Sequence, residues 1–467
     1  MQTNLNFLMP GASYPPASEV LRMKWVRDNI MLYEGKLDRV FSWYLTRLGG
    51  EDTTTFCTNL NYFKLISSKT ADLVCGELPD LSFGDDIEEE QQKEIQHCAN
   101  IVNSKLRMAV IDYSRFGETA LRPYMGEDGE PRVTVYNPTM LIPIASEENR
   151  SDIGKYVIAW TTEENKKHYI HVQIHEKGKY THKVFNSIAP VEVTVTADKE
   201  SVRVLQYAVG SEVKSEEVKT GLTDFAVYHI ANEPTSDNPH GRSDYEMFSS
   251  LIAELEVRFA QIARILDKHA DPNMASPIEN IEFDPITGKH TGLKTGGKVW
   301  EIVEGKPAPH YIVWDGQLQA AYKHVEELIG QLDKLTEMGA VISDNDSNGG
   351  GTQGFEALQV KMTNARLKAR RISEAFDKPY KELIKAVYLL KYKKELTVDL
   401  NVTWNDGLPN DEMRDAMIAQ LEMSTKLKPP SMIRKERYNM SKAQSDNAQA
   451  ELDALAPNEV IEPMFGE

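Results

Sequence analysis

Residues 243–271 read SDYEMFSSLIAELEVRFAQIARILDKHAD and contain the clearest helical pattern in this 467-residue chain. Apolar side chains return every three or four residues, the spacing that one buried face of an α-helix requires. They are Tyr245, Phe248, Ile252, Leu255, Phe259, Ile262 and Leu266. At about 1.5 Å per residue this helix is roughly 40 Å long. Such a stripe is more often a packing seam than a cofactor surface, so the pattern predicts a long helix that packs along its length.

A second stretch with the same spacing follows at residues 317–338, QLQAAYKHVEELIGQLDKLTEM. Its stripe consists of Leu318, Ala321, Val325, Leu328, Leu332 and Leu335. Between the two stretches, residues 272–315 contain short β-type segments (IENIEF, KVWEIVE and HYIVW) separated by Pro and Gly turns. The sequence therefore predicts two antiparallel helices with a small β-rich module at their far end.

The C-terminal part is predicted to be mainly helical. Residues 355–395 form a third long helical pattern that contains Pro379, which is expected to kink or break the helix. Residues 396–404, LTVDLNVTW, predict a strand, and the tail beyond them predicts helices interrupted at Pro429–Pro430.

The N-terminal part begins helical and becomes β-rich at Gly117. Residues 85–117 are predicted to form two helices, the first strongly solvated because of its acidic run DDIEEE. The Asp128–Gly129 turn lies between β-type stretches and predicts a hairpin. Alternating segments continue to about residue 230, so we expect antiparallel strands and an α+β fold class.

A group of histidines in this region raises the question of a metal site. The group consists of His168, His171, His175 and His182. In a strand, His171 and His175 share one face but lie about 13 Å apart, at roughly 3.3 Å per residue. One ion with bonds of about 2 Å cannot bridge that distance. We therefore expect these histidines on the solvated face of a hairpin.

The glycine-rich stretch at residues 341–354, VISDNDSNGGGTQG, has the composition of a phosphate-binding loop but lacks its chemistry. A Walker A loop ends in Gly-Lys-Ser/Thr, whereas Phe355 follows Gly354 here. A dinucleotide fingerprint follows a strand, whereas a predicted helix precedes this stretch. Two interpretations remain open: a plain flexible linker, or a loop whose mobility is its function.

Charge and composition indicate which binding partners and which cellular compartment fit this sequence. The net charge of −18 argues against tight DNA binding, which usually requires a basic excess. The three cysteines have no close metal-binding spacing, which is typical of a reducing compartment. The sequence shows neither a membrane-spanning apolar run nor a signal peptide pattern, so we expect the protein to stay in the cell that makes it.

Four stretches are individually degenerate but occur in an informative order. They are NLNYFKLISSKTADLVCGELPDL (59–81), FGETALRPYMGEDGEPRVTVYNPTMLIPI (116–144), GGTQGFEALQVKM (350–362) and WNDGLPNDEMRDAMIAQLEMST (404–425). Together with the order of long helix, β-rich module, second helix, glycine-rich loop and third helix, they resemble the portal protein family of tailed bacteriophages, siphophage type. The similarity covers residues 20–455.

The resemblance implies a multidomain portal fold. It assigns residues 1–243 and 355–409 to a wing, 244–271 and 316–340 to the stem, 272–315 to a clip, 341–354 to a tunnel loop, and 410–467 to a crown with a loose tail. It also implies a ring, usually of twelve subunits, at one vertex of the head, which forms the channel for DNA packaging and ejection. The implied partners are double-stranded DNA, the terminase large subunit, the capsid and scaffolding proteins and a head-completion protein, without a membrane. The implied location is the virion, after assembly in the cytoplasm of the bacterial host.

Two sets of site residues follow from this assignment. The tunnel loop, lining the DNA channel, would contain Ser343, Asp344, Asn345, Asp346, Ser347, Asn348, Gly349, Gly350, Gly351, Thr352, Gln353 and Gly354. A basic cluster in the third helix would be either a solvated face with ion pairs between subunits or a contact with DNA or an acidic neighbour. It consists of Lys361, Arg366, Lys368, Arg370 and Arg371. No catalytic residues, cofactors or metal ligands are expected.

Two other classes of protein remain as alternatives. One is a helical assembly or scaffold protein of a virion that is not a portal. The other is a nucleotide-dependent motor, which the missing Lys-Ser/Thr after the glycines disfavours.

Overall fold

The computed structural model describes most of the chain. The described residues are 2–48, 60–83, 87–149, 152–197, 200–236, 238–270, 274–275, 281–287, 290–293, 310–311, 318–339, 360–405, 412–438, 440 and 442–455. The chain divides into two units. The first contains residues 1–30, 63–246 and 337–467, and the second contains residues 31–62 and 247–336.

Helices account for much of the described chain. They are α1 (Val20–Tyr33), α2 (Leu37–Val40), α3 (Tyr44–Leu48), α4 (Tyr62–Cys75), α5 (Glu89–Phe116), α6 (Ser249–Ala270), α7 (Leu318–Thr336), α8 (Thr363–Tyr392), α9 (Glu412–Ser424), α10 (Pro430–Tyr438) and α11 (Lys442–Leu455). None of the helices searched within the described ranges is long and apolar enough to cross a membrane.

The strands pair in antiparallel fashion. They are β1 (Ser13–Tyr14), β2 (Asp80–Ser82), β3 (Glu118–Met125), β4 (Pro131–Tyr136), β5 (Leu141–Ala145), β6 (Ile153–Glu164), β7 (Lys167–Glu176), β8 (Lys179–Ser187), β9 (Val191–Ala197), β10 (Glu200–Lys219), β11 (Tyr228–Ala231), β12 (Met274–Ala275), β13 (Ile281–Phe283), β14 (His290–Leu293), β15 (His310–Tyr311) and β16 (Asn401–Thr403). The largest sheet has the order β1-β10-β8-β7-β6-β5, with β9 on β10, and a second has the order β11-β3-β4. The expected α+β class is confirmed.

The large sheet forms one hydrophobic core of the first unit. Ile170 and Val172 of β7 are fully buried, and Ile174 is nearly so, as the alternation in the sequence predicts. They pack with Val157 of β6 and Phe185 of β8 in one hydrophobic cluster. The predicted β3–β4 hairpin is also present, with Gly129 at a φ of +78° in its turn.

The prediction of two helices over residues 85–117 is wrong. A single 28-residue helix, α5, runs from Glu89 to Phe116. No Gly or Pro interrupts this segment before Gly117, which ends the helix in the left-handed conformation with a φ of +82°. A continuous buried stripe that includes Ile95, Val102 and Leu106 supports the helix along its length.

The two predicted stem helices pack against each other in the second unit. Leu255 and Ile262 of α6 form a cluster with Val325 of α7, and Phe259 and Leu328 lie against it. One member of each predicted stripe lies outside the buried seam, because Leu266 is 46% exposed and Leu335 is 36% exposed. Of the predicted β-rich module, the described part consists of the pairs β12–β15 and β13–β14. The segment KVWEIVE lies outside the described residues.

Helix α8 continues through Pro379 without a break and is 30 residues long. Phe376 and Tyr380, on either side of the proline, are 1% and 2% exposed, so packing holds both parts of the helix. The predicted strand over 396–404 is shorter than expected. It comprises β16 alone, which pairs with β2.

Candidate functional site

The predicted basic cluster divides into an exposed face and one buried side chain. Lys361, just before α8, and Arg366, Arg370 and Arg371 on α8 are exposed. Arg370 donates to Glu374 one turn later at 3.0 Å, and its side chain remains 77% exposed. Arg371 pairs with Glu337 and lies 3.9 Å from Glu233. Exposed pairs of this kind contribute little to stability, about 0–1 kcal/mol, so these guanidinium groups remain accessible to an anionic partner.

Lys368 does not belong to this exposed face. It is 9% exposed, and its Nζ lies 3.1 Å from Oδ2 of Asp244. The same oxygen accepts from the Ser114 hydroxyl at 2.7 Å, and Oδ1 accepts from the Asn232 amide at 2.9 Å. Lys368 therefore attaches α8 to the end of α5 and to the segment after β11.

The buried polar network extends from Ser114 into α4. Its hydroxyl lies 3.2 Å from that of Ser67, which lies 2.8 Å from the Tyr245 hydroxyl. Tyr245 also donates to the carbonyl of Phe63 at 3.0 Å. Because buried polar groups are costly when unsatisfied, this network fixes the position of α8 relative to α4 and α5. This network thus supports the helix that carries the exposed basic face.

The predicted tunnel loop, residues 341–354, lies outside the described residues, so its residues Ser343 to Gly354 stay a prediction.

A second polar cluster surrounds Glu118, the first residue of β3. Its Oε1 accepts from the guanidinium of Arg22, and its Oε2 accepts from His229 Nε2 at 2.8 Å and from His240 Nδ1 at 3.2 Å. Arg22 also donates to Glu19 at 2.7 Å. Burial alone would raise the pKa of Glu118, but Arg22 and the two histidines hold this pKa well below its ordinary value.

Two glycines allow this cluster to form. Gly117 and Gly241 have φ values of +82° and +77°. A Cβ on Gly117 would lie 2.4 Å from the carbonyl carbon of Arg242, and a Cβ on Gly241 would lie 2.4 Å from the carbonyl oxygen of Asn232. The backbone of Asn232 donates to the Gly117 carbonyl at 2.7 Å and accepts from Arg242 at 2.9 Å. These contacts bring the loop with His240 against the start of β3. Sequence reasoning missed the cluster, because Glu118 and His229 are 111 positions apart.

The histidines of the large sheet are less solvated than predicted. His171 and His182 stack on Trp160, with ring centroids 5.3 and 5.9 Å from it. His175 is fully buried, which makes the prediction of a solvated position wrong for this residue. Burial, with the nearby Arg122 guanidinium, lowers the pKa of His175 to about 3. Tyr180 stacks on its ring and, with Arg122, covers this end of the sheet face.

Comparison with known proteins identifies the class to which this mixed α+β chain belongs. Residues 24–457, nearly the whole chain, match the family described as "Phage portal protein, SPP1 Gp6-like". The chain belongs to this family and is a structural component of a phage-type particle, the portal of its head. None of the curated proteins compared with the chain matches it.

Two solved structures show a distant likeness. They are described as the neck of a native GTA particle computed with C12 symmetry and the neck of an empty GTA particle computed with C6 symmetry. Their TM-scores are 0.41 and 0.42, and each is 11% identical to this chain, over 84% of this chain and 92% of the other.

Proposed function

We propose that this portal protein assembles into a closed homo-oligomeric ring, with twelve as the expected number of copies, around a channel for DNA. The family match over residues 24–457 is the observation that carries this proposal. A closed ring requires a heterologous interface, with two different complementary surfaces on each subunit.

Electron microscopy of the purified chain tests the proposal. We expect ring-shaped particles with a central hole. Monomers, open filaments or solid particles at concentrations that favour assembly would contradict it.

Within the ring, α6 and α7 would form the stem of each subunit, and residues 272–315 would form the clip. The shared apolar seam of Leu255, Ile262 and Val325 supports this assignment, because it leaves the charged faces of both helices for contacts with neighbouring subunits or the channel. The wing would comprise residues 1–243 and 355–409, and the crown residues 410–467.

Residues 341–354 would form a tunnel loop through which DNA slides without being held. Asp344 and Asp346 would repel phosphate, and the glycines would let the loop deform around the duplex. Deletion of Gly349–Gly351 should then impair packaging or DNA retention. Unchanged packaging and retention would refute this role.

The exposed basic face of α8 would contact DNA or an acidic neighbour. Its support is the contrast between Lys368, which is internally paired and buried, and the accessible Arg370 and Arg371. Substitution of both arginines by glutamate should block packaging and leave ring formation intact. Lys378→Glu is a matched control on the same helix, because Lys378 is 84% exposed and also has an i,i+4 partner. Loss of the ring itself would instead indicate ion pairs between subunits.

The remaining partners follow from the same assignment. The clip would dock the terminase large subunit during packaging and a head-completion protein afterwards, and the capsid and scaffolding proteins would surround the ring at the vertex. The ring would assemble in the host cytoplasm. The ATPase activity would belong to the terminase, so the purified portal should hydrolyse no ATP; hydrolysis that persists through purification to homogeneity would contradict this.

A further inference from the structure

The donor atoms around Glu118 are arranged as they would be around a metal ion. Glu118 Oε2 lies 2.8 Å from His229 Nε2 and 3.2 Å from His240 Nδ1, and the three potential ligand atoms lie within 4.8 Å of one another. Ligands at about 2.0–2.1 Å from a tetrahedral zinc ion are separated by roughly 3.3 Å. Shifts of less than about 1 Å would therefore bring all three donors to bonding distance from one central point.

The charge balance of the cluster favours an added cation. Arg22 carries one positive charge, whereas Glu19 and Glu118 carry two negative charges, and the three side chains are 11%, 3% and 2% exposed. Because the carboxylates outnumber the guanidinium, the cluster attracts a cation rather than repelling it. The two histidine side chains, 5% and 14% exposed, are positioned to bind that cation.

Arg22 orients the carboxylate rather than blocking it. The guanidinium is bound to the other carboxylate oxygen, Oε1, and its remaining donors go to Glu19 and to the carbonyls of Pro138 and Leu141, at 3.0 and 2.5 Å. Oε2 is thereby turned towards the two histidines. This is the role that residues around a metal site commonly have, since they fix the direction of the ligating groups.

A cavity of about 100 Å³ adjoins the cluster and gives access to it. Arg22, Glu118 and His240 line it together with Asn238 and Glu246. A water molecule occupies about 30 Å³, so the cavity has room for a water ligand in the fourth position of the ion. It also provides an entry path.

The donor set selects the kind of metal. Two imidazole nitrogens and one carboxylate oxygen suit zinc and related transition metals. Calcium and magnesium prefer ligand sets made of oxygen atoms. The short, fixed distances in this cluster also suit a small ion.

We propose that Glu118, His229 and His240 form a structural site for Zn²⁺ in the first unit of the portal subunit. The ion would join the start of β3 to β11 and to the loop that follows it. These are the segments that Gly117 and Gly241 already bring into close contact. The site would stabilise the fold near Asp244, and thus near the support of the basic helix α8.

Metal analysis of the purified full chain tests this proposal. After incubation with ZnCl₂ and dialysis against metal-free buffer, we expect about one zinc per chain. His240→Asn and His229→Asn should each reduce the retained zinc at least tenfold. His171→Asn is the matched control, because His171 and His182 form another histidine pair, with ring centroids 5.7 Å apart.

Substitution by Co²⁺ provides a measurement on the unaltered chain. Cobalt in a four- or five-coordinate site with nitrogen and oxygen ligands should give visible absorption bands that zinc abolishes in competition. No retained zinc and no such bands in the wild type would overturn the proposal. Equal loss of zinc in the His171→Asn control would overturn it as well.

Discussion

Glu256 in the middle of α6 should make the stability of the second unit depend on pH. Its side chain is 2% exposed, and its Oε2 accepts from the Tyr44 hydroxyl at 3.1 Å, whereas Oε1 has no hydrogen-bond partner among the residues that the structure describes. Burial therefore raises the pKa of this carboxyl from 4.5 to about 7, in spite of donors that favour the charged form. The folded chain keeps a proton on Glu256 in a range in which the unfolded chain has lost it.

The sign and size of the effect follow from this difference. The stabilising contribution of the protonated carboxyl is fully present below pH 4.5 and is lost as the pH rises towards about 7. At about 1.36 kcal/mol per pH unit, the loss over this window is about 3 kcal/mol. The glutamine in Glu256→Gln cannot ionise and does not suffer this loss. The free energy of unfolding of the variant, relative to that of the wild type, should therefore rise by about 3 kcal/mol between pH 4.5 and pH 7.

Urea denaturation of both proteins across this pH range measures the difference in free energy of unfolding. Glu254→Gln is the matched control on the same helix. Burial acts to raise the pKa of Glu254, but its pairs with Arg47 and Arg258 hold that pKa below its ordinary value. The stabilisation from Glu254 is thus present above its ordinary pKa and lost as the pH falls. A difference between wild type and Glu256→Gln that stays constant with pH, or that follows the Glu254 control, would refute the reasoning.

Three other predictions concern the first unit and the stem. Asp244→Ala leaves the ammonium of Lys368 buried without its carboxylate, so the free energy of unfolding from urea denaturation should fall by about 3–5 kcal/mol. Glu374→Ala, which breaks an exposed pair, should lower it by less than about 1 kcal/mol. Equal losses in the two variants would contradict this. Gly241→Ala should lower the melting temperature, because φ is +77° and the new Cβ would lie 2.4 Å from a carbonyl oxygen. Gly330→Ala, in α7 with nothing within 4 Å of its Cβ, should instead raise stability by up to about 1 kcal/mol; a lower melting temperature for Gly330→Ala would contradict this.

Periodicity predicted the elements whose burial depends on local spacing. The stripe of α6, the alternation of β7 and the turn at Gly129 all appear where the sequence places them, because each depends on residues a few positions apart. The cluster of Glu118, His229 and His240 depends on how distant segments pack. No local pattern marks its members, and the sheet order that brings β11 next to β3 was not predicted.

The position of Lys368 around the axis of α8 could have been read from the sequence, and it distinguishes this lysine from the other basic residues of the cluster. Ala365, Ala369, Ile372 and Phe376 mark the buried face of α8. At about 100° per residue, Lys368 lies roughly 70° from the centre of that face, whereas Arg370 and Arg371 lie more than about 120° away. A lysine on the flank of a buried face requires an acidic partner in the core, and Asp244 is that partner. The angular position along the helix, rather than the density of positive charge, therefore separates a structural lysine from the arginines that stay exposed.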